Sequence, residues 1–387
     1  MRYGIVLLSL ALAACASAPA PQRDARFFHD SLFRAPSEQI SAGDVFALSA
    51  DMNRYINDEI ERPARKKGRQ LALVDALYNR GALKLEYDTE MTRTAAQAFA
   101  ARSGNCLSLV IMTAAFAKAL DLPVEYQKVY VDDEWARSGD LYLAIGHVNL
   151  TLGRRKTDEG GFGYRVGVKP RESEGMTIDF LPPEEMRRAR RRSIDEETVV
   201  AMYMNNRAVE ALAQGRVDDA YWWARASIAQ ASDFQVPYNT LGAIYRRHGN
   251  LQEADEVLAY ALEREPENLQ AMSNRIAVLG DLGRGEQAQR LAARLKELDP
   301  EPAFSHFNRG MAALHNGDMK TAKEAFEREV ARAPDYHEFH FWLAVAYFNL
   351  GELDAARKHM TMAMTNSTTR HDHDLYAAKL DRINQVH

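Results

Sequence analysis

At 387 residues, with 46% hydrophobic and 27% charged side chains, the chain has the composition of a globular protein with room for roughly two or three domains, not that of a disordered segment. Its 49 basic and 54 acidic residues leave a formal charge of -5, too small for this length to point to nucleic acid or an anionic surface as a global partner. Two cysteines are present, Cys15 and Cys106.

In chain order, Arg2, the apolar run from Ile5 to Leu12 and the small Ala13 and Ala14 read as a secretion signal, too short to span a bilayer. Leu12, Ala13, Ala14, Cys15 resembles the lipobox of bacterial lipoproteins. The resemblance implies cleavage before Cys15 and lipidation of that residue. With Ala16 next, it implies anchoring in the outer membrane, facing the periplasm, within the cell envelope. Residues 1–14 are then the signal peptide and 15–25 an alanine- and proline-rich tether. Cys106 is left as a free thiol without a partner in the chain.

From Arg26 the pattern is helical. Val45, Phe46, Leu48, Met52, Tyr55 and Ile56 predict one helix, capped by Ser41 or Asp44. Leu71, Leu73, Val74, Leu77 and Tyr78 predict a second, ending at Gly81, and a third follows Thr92. Gly104 and Asn105 then bring Cys106 to the head of an apolar helix that runs through Leu109, Val110, Met112, Phe116 and Leu120 to Pro123. A helix N-terminus presents partial positive charge and free amides, an environment that favours a nucleophilic thiolate and serves an oxyanion. The alternative is a small buried side chain that only begins a core helix.

Beyond Pro123 the composition changes. Val124–Val131, Leu141–Leu152, Tyr164–Val168 and Met176–Phe180 read as strands of an antiparallel sheet, with a hairpin tip over 153–163. His147 and Asp179 interrupt two of these strands and require either hydrogen-bond partners or a role in chemistry.

Thr94 and Ala95 before an alanine-rich helix, then Gly104, Asn105, Cys106, then Gly146, His147, Val148, Asn149, and finally Ile178, Asp179 resemble the core of the transglutaminase-like, papain-like superfamily. This resemblance implies Cys106 as nucleophile, His147 as base and Asp179 as the carboxylate that orients the imidazole, with no cofactor and no metal. Departures are Val148 and Asn149 where many members place an aromatic, and Phe180 where many have proline. Such a triad forms a thioester from an amide of a protein or peptide substrate. Water then makes it a hydrolase and an amine makes it an acyltransferase.

Pro182 to Glu185 and the run Arg187, Arg188, Arg190, Arg191, Arg192 predict a basic linker helix over 184–200. From Ala201 the period is 34: Gly215, Gly249, Gly283, Gly317 and Gly351, with Ala220, Ala254, Ala288, Ala322 and Ala356 in step. With Pro266, Pro300 and Pro334 closing three units, this resembles tetratricopeptide (TPR) repeats. Five helix pairs are expected over 201–370 and a cap helix over 371–387, in which His371 and His373 serve a polar surface and not a metal. The family's groove is lined by the first helix of each pair. On this chain that gives Phe304, Phe307, Met311, Phe341, Val345 and Phe348 as apolar partner-binding positions. The occupant expected there is a segment of a partner protein or of the chain's own N-terminal half.

The expected fold class is therefore an α+β papain-like, transglutaminase-like domain over 26–183, followed by an all-α TPR solenoid. The leading expectation for function is an envelope cysteine enzyme acting on amides, anchored to the membrane by lipid, with no nucleic-acid partner. The rival is a catalytically inactive scaffold whose repeats bind proteins.

Overall fold

The structure, a computed structural model, describes residues 25–79, 83, 85–88, 91–130, 135–138, 141–144, 147–153, 175–179, 190–301, 303–367 and 369–385. The signal, Cys15, Gly81, the strand expected over Tyr164–Val168 and the linker start at Pro182 lie outside these residues.

Helices dominate the first part. Ser49, in extended conformation, accepts from the Met52 amide and caps α1 (Ala50–Tyr55). The cap therefore falls later than Ser41 or Asp44, because the Val45 carbonyl is already taken by the Ala95 amide at 2.9 Å. The chain continues through a wider turn, Ile56–Glu61, into α2 (Arg62–Lys67) and, past Gly68, α3 (Arg69–Val74). α4 (Ala95–Ala101) starts at a reciprocal cap between Thr94 and Gln97. A two-residue strand, β1 (Glu86–Tyr87), pairs in parallel with β2 (Ser103–Gly104), which leads into α5 (Cys106–Ala119). From Cys106 to Ala117 every residue of α5 is buried, so this helix is the centre of the N-terminal half.

Four strands form an antiparallel sheet in the order β7 (Met176–Ile178), β6 (His147–Leu152), β3 (Val124–Tyr130), β8 (Arg190–Ile194). α5 packs on β6. Between β3 and β6 lies a separate hairpin, β4 (Trp135–Ser138) and β5 (Leu141–Ala144). The basic run is not a linker helix over its described part, since Arg190–Ile194 pairs along β3 as an edge strand. Its three exposed arginines keep that edge from recruiting another strand, while Ile194 packs against the core.

The all-helical region starts at Glu196, not Ala201, where the Asp195 side chain caps α6 (Glu196–Ala213). It pairs with α7 (Val217–Gln230), followed by α8 (Val236–His248) with α9 (Leu251–Arg264), and α10 (Leu269–Asp281) with α11 (Gly285–Leu298). The fourth pair is α12 (Ser305–His315) with α13 (Met319–Arg332), and the fifth α14 (His337–Asn349) with α15 (Leu353–Thr365). α16 (Arg370–Asn384) closes the stack. The five glycines spaced by 34 each turn between paired helices at φ values from 71° to 94°, which a side chain bearing Cβ adopts only with strain.

Gly310 serves a different need. A Cβ there would lie 2.5 Å from the Phe326 ring, itself fully buried between α12 and α13. Overpacking of this kind costs about 1–3 kcal/mol, against about 1 kcal/mol that alanine gains in helix propensity. Gly310→Ala is thus expected to lower the denaturant midpoint, and a raised midpoint would show that the ring yields freely.

One buried cluster runs without interruption from α1 through α5 and β6 into the helix pairs α6–α9, with smaller clusters around α12–α14 and under α16. The first residues, 25–38, are part of this junction: they lie as a strap on the repeats. Phe33 stacks on Tyr221 of α7 at 3.9 Å between ring centroids, and the Tyr245 hydroxyl of α8 donates to the Phe27 carbonyl. Asp30 takes Tyr221 and Arg225, Ser37 donates twice to Asp219, and Glu38 meets Arg207, Arg216 and Trp223.

Candidate functional site

The turn before α5 is held by a chain of hydrogen bonds that ends in the repeats. Asn105 caps α5 by accepting from the Ser108 amide at 2.9 Å and from its hydroxyl at 2.8 Å. The other end of the Asn105 side chain donates to Thr92 Oγ1 at 2.8 Å. The Thr92 amide in turn donates to Glu210 of α6 at 2.7 Å, and Arg207 pairs with the same carboxylate. Gly104 leaves room for this arrangement, because a Cβ would fall 2.6 Å from that of Ser108. The result places Cys106 at the first position of α5, 8% exposed, with its amide directed out of the helix end.

His147 is the first residue of β6 and Asp179 follows the last residue of β7, so neighbouring strands bring them to the same end of the sheet. His147 Nε2 lies 3.0 Å from Asp179 Oδ1, with both side chains 8% exposed. The second oxygen, Oδ2, accepts from Asn149 Nδ2 at 2.5 Å. His147 also hydrogen-bonds the Cys106 side chain. Because Asp179 occupies Nε2, the nitrogen left for the sulfur is Nδ1. Burial works against a charge on this imidazole, but the hydrogen bonds to Asp179 and Cys106 outweigh it and push the ring up to about 9.

The three residues singled out for chemistry are therefore in contact, sulfur to imidazole to carboxylate. Two more belong with them. In the sequence Asn149 is one member of the run Gly146, His147, Val148, Asn149, and its role as a clamp on Asp179 depends on the β6–β7 pairing. Tyr87 gave no signal, because a two-residue strand is too short to show a period. Its hydroxyl accepts from the Cys106 backbone amide and meets the Cys106 side chain, and desolvation with the sulfur's charge pushes the phenol up to about 12. Among the described residues no cluster of three or more His, Cys, Asp or Glu is arranged to hold a metal, and no helix is long and apolar enough to cross a membrane.

The aromatic positions expected to line a groove are placed differently from one another. Phe304 and Phe307 are 2% and 0% exposed, packed with Phe326 and Phe339 inside the fourth and fifth pairs, and so present no surface. Met311 is half-buried against the same cluster, and Phe341 stacks on Tyr376 of α16. Val345 is half-buried, while Phe348, at 39%, is exposed. Ring spacing alone does not separate a groove from the core between repeats. The face made by α8 and α10, the first helices of the second and third pairs, is where β5 runs. A segment of the N-terminal half thus lies on the repeats two pairs before the site expected for it.

Two models of the tetratricopeptide repeat match, one over residues 274–335 and one over 313–367. Among curated proteins none matches. Several solved TPR structures are similar over the helical region. A thermophilic TPR protein, TTC0263, from Thermus thermophilus is 22% identical, with 46% of this chain and 98% of that one covered at a TM-score of 0.34. MamA from Desulfovibrio magneticus is 18% identical over 50% and 99% of the two chains, TM-score 0.26. YrrB, described as a TPR protein with an unusual peptide-binding site, is 20% identical over 46% and 92%, TM-score 0.25.

Proposed function

We propose that this chain, an all-helical TPR solenoid in its C-terminal region, is a cysteine-dependent amide hydrolase or acyltransferase whose repeats hold a protein partner or substrate. The supporting observation is His147, bound by Asp179 on one nitrogen and by Cys106 on the other side. The order and spacing of these residues fit a papain-like, transglutaminase-like core. The lipobox-like run ending at Cys15 supports a lipid-anchored location in the envelope.

The chemistry follows from the contacts. The Cys106 sulfur, paired with the imidazolium, attacks the amide carbon, and the carbonyl π pair moves to oxygen. As the tetrahedral species collapses, C=O re-forms, the C–N bond breaks, and His147 gives its proton to the departing nitrogen. A thioester remains on Cys106. Water or an amine, losing a proton to His147, attacks the thioester carbon, and the C–S bond breaks to restore the thiolate. Asp179 holds the ring so that one nitrogen faces the sulfur throughout, and Asn149 holds Asp179.

A peptide library supplied with amine acceptors and read by mass spectrometry is the test. Wild type is expected to yield cleaved or amine-linked peptides and Cys106→Ala none. Identical spectra for the two proteins would remove the enzymatic reading. The second reading, an inactive scaffold, is favoured by the confinement of family matches to 274–367 and by a sulfur residue only 8% exposed. Repeat arrays carry extended surfaces suited to protein binding, which both readings share.

A further inference from the structure

We infer that Tyr87 is the second oxyanion donor of the Cys106 site, an assignment that rests on Cys106 being the nucleophile. Acyl transfer at a helix-head cysteine supplies one donor, the backbone amide of that cysteine, and a stabilised oxyanion needs at least one more. Among the described residues, Asn105 has Oδ1 on Ser108 and one Nδ2 hydrogen on Thr92, and Asn149 has one Nδ2 hydrogen on Asp179, so both amides are held in place by other contacts. Tyr87 is placed by backbone pairing, since its partner in the β1–β2 register is Gly104, two residues before the sulfur. Its hydroxyl touches both the amide and the side chain of Cys106, the two groups an oxyanion would lie between.

In the resting site that hydroxyl accepts from the Cys106 amide and donates to the sulfur. When the sulfur bonds to the carbonyl carbon, negative charge passes from sulfur to the carbonyl oxygen. The new oxyanion takes the amide hydrogen, and the phenol proton follows the charge from sulfur to oxygen. No proton is lost from Tyr87: it donates a hydrogen bond and remains a phenol. Tyr87 is 55% exposed as a residue and lies outside the buried core.

Two reagents separate this role from a structural one, used on the full chain with Tyr87→Phe and Cys106→Ala. Acylation by p-nitrophenyl acetate passes through an oxyanion, whereas alkylation by iodoacetamide displaces iodide and does not. Tyr87→Phe is expected to lower the acylation rate about 100-fold, the usual cost of one oxyanion donor, while alkylation changes far less. Acylation that is unchanged or faster would overturn the assignment, the latter marking the hydroxyl as a plug over the amide. Equal falls in both rates would also overturn it, leaving Tyr87 a positioning residue for the sulfur. If wild type is neither acylated nor alkylated beyond Cys106→Ala, the enzymatic reading itself fails, a result distinct from the others.

Discussion

Asp179→Asn is expected to slow acylation of Cys106 by about 10⁴-fold, the loss seen when the carboxylate of such a triad is made an amide. The carboxylate accepts on both oxygens, from His147 at 3.0 Å and from Asn149 at 2.5 Å. An asparagine has only one oxygen to offer. If its NH₂ faces Asn149, two donors collide. If it faces His147, Nε2 must accept, and the proton then sits on Nδ1, where the sulfur's proton should go. The second orientation thereby loses the imidazole as a base, and the first keeps it only by setting two donors against each other. The same change removes the largest support for the charged ring, so its upward shift to about 9 should fall back toward the ordinary value near 6.5. A histidine raised on folding stabilises fully below its unfolded value and loses that contribution as pH rises toward about 9. The wild type should therefore lose stability across pH 6.5 to 9, and the variant should lack this slope. Acylation and urea midpoints measured at both ends of the window check the two statements. A variant with wild-type rate and slope would mean that Asp179 does not orient the ring.

The largest expected loss of stability lies elsewhere, at Glu329→Ala. Helix α12 follows Phe304, which sits at φ 63° and offers no capping side chain. Its free amides are instead met by Glu329, 1% exposed on α13, which accepts from Phe304 at 2.9 Å, His306 at 3.1 Å and Phe307 at 3.3 Å. Truncation strands these donors in a buried cluster, and each unmet buried group costs about 1–3 kcal/mol, so about 3–5 kcal/mol is expected after relaxation. Contacts in a repeat array are local, so the loss should appear as faster hydrogen exchange in α12–α15 with α6–α9 protected. Urea unfolding with hydrogen exchange tests both parts. A change below about 0.5 kcal/mol, the range of an ordinary surface substitution, would show that water replaces the carboxylate without penalty.

Much of the fold is visible in local sequence. The glycine period of 34 specifies the five inter-helix turns, because positive φ leaves few other residues available. Gly104, Asn105 and the apolar run after Cys106 mark the helix head, since capping is a property of a few adjacent residues. Illegible features depend on distant partners. Arg190–Ile194 is a strand because β3 offers an edge 60 and more residues earlier in the chain, which three arginines do not advertise. Ser49 wins over Ser41 and Asp44 as a cap because Ala95 claims the Val45 carbonyl. Phe304 and Phe307 share the spacing of a groove and the spacing of a core, and Phe326 and Phe339 decide between them. The strap over 25–38 bonds to residues about 180 to 220 positions away, beyond the reach of any local pattern.

That strap determines where a mechanical load would travel. A pull on the chain ahead of residue 25 meets Phe27, Asp30 and Ser37 in turn, each fastened to α7 or α8, before any tension reaches α1. The fastenings are spread along the strap, so tension must break each of them before it reaches α1. Force applied at the N-terminus is thus discharged into the first two helix pairs, and the strand that carries His147 stays slack.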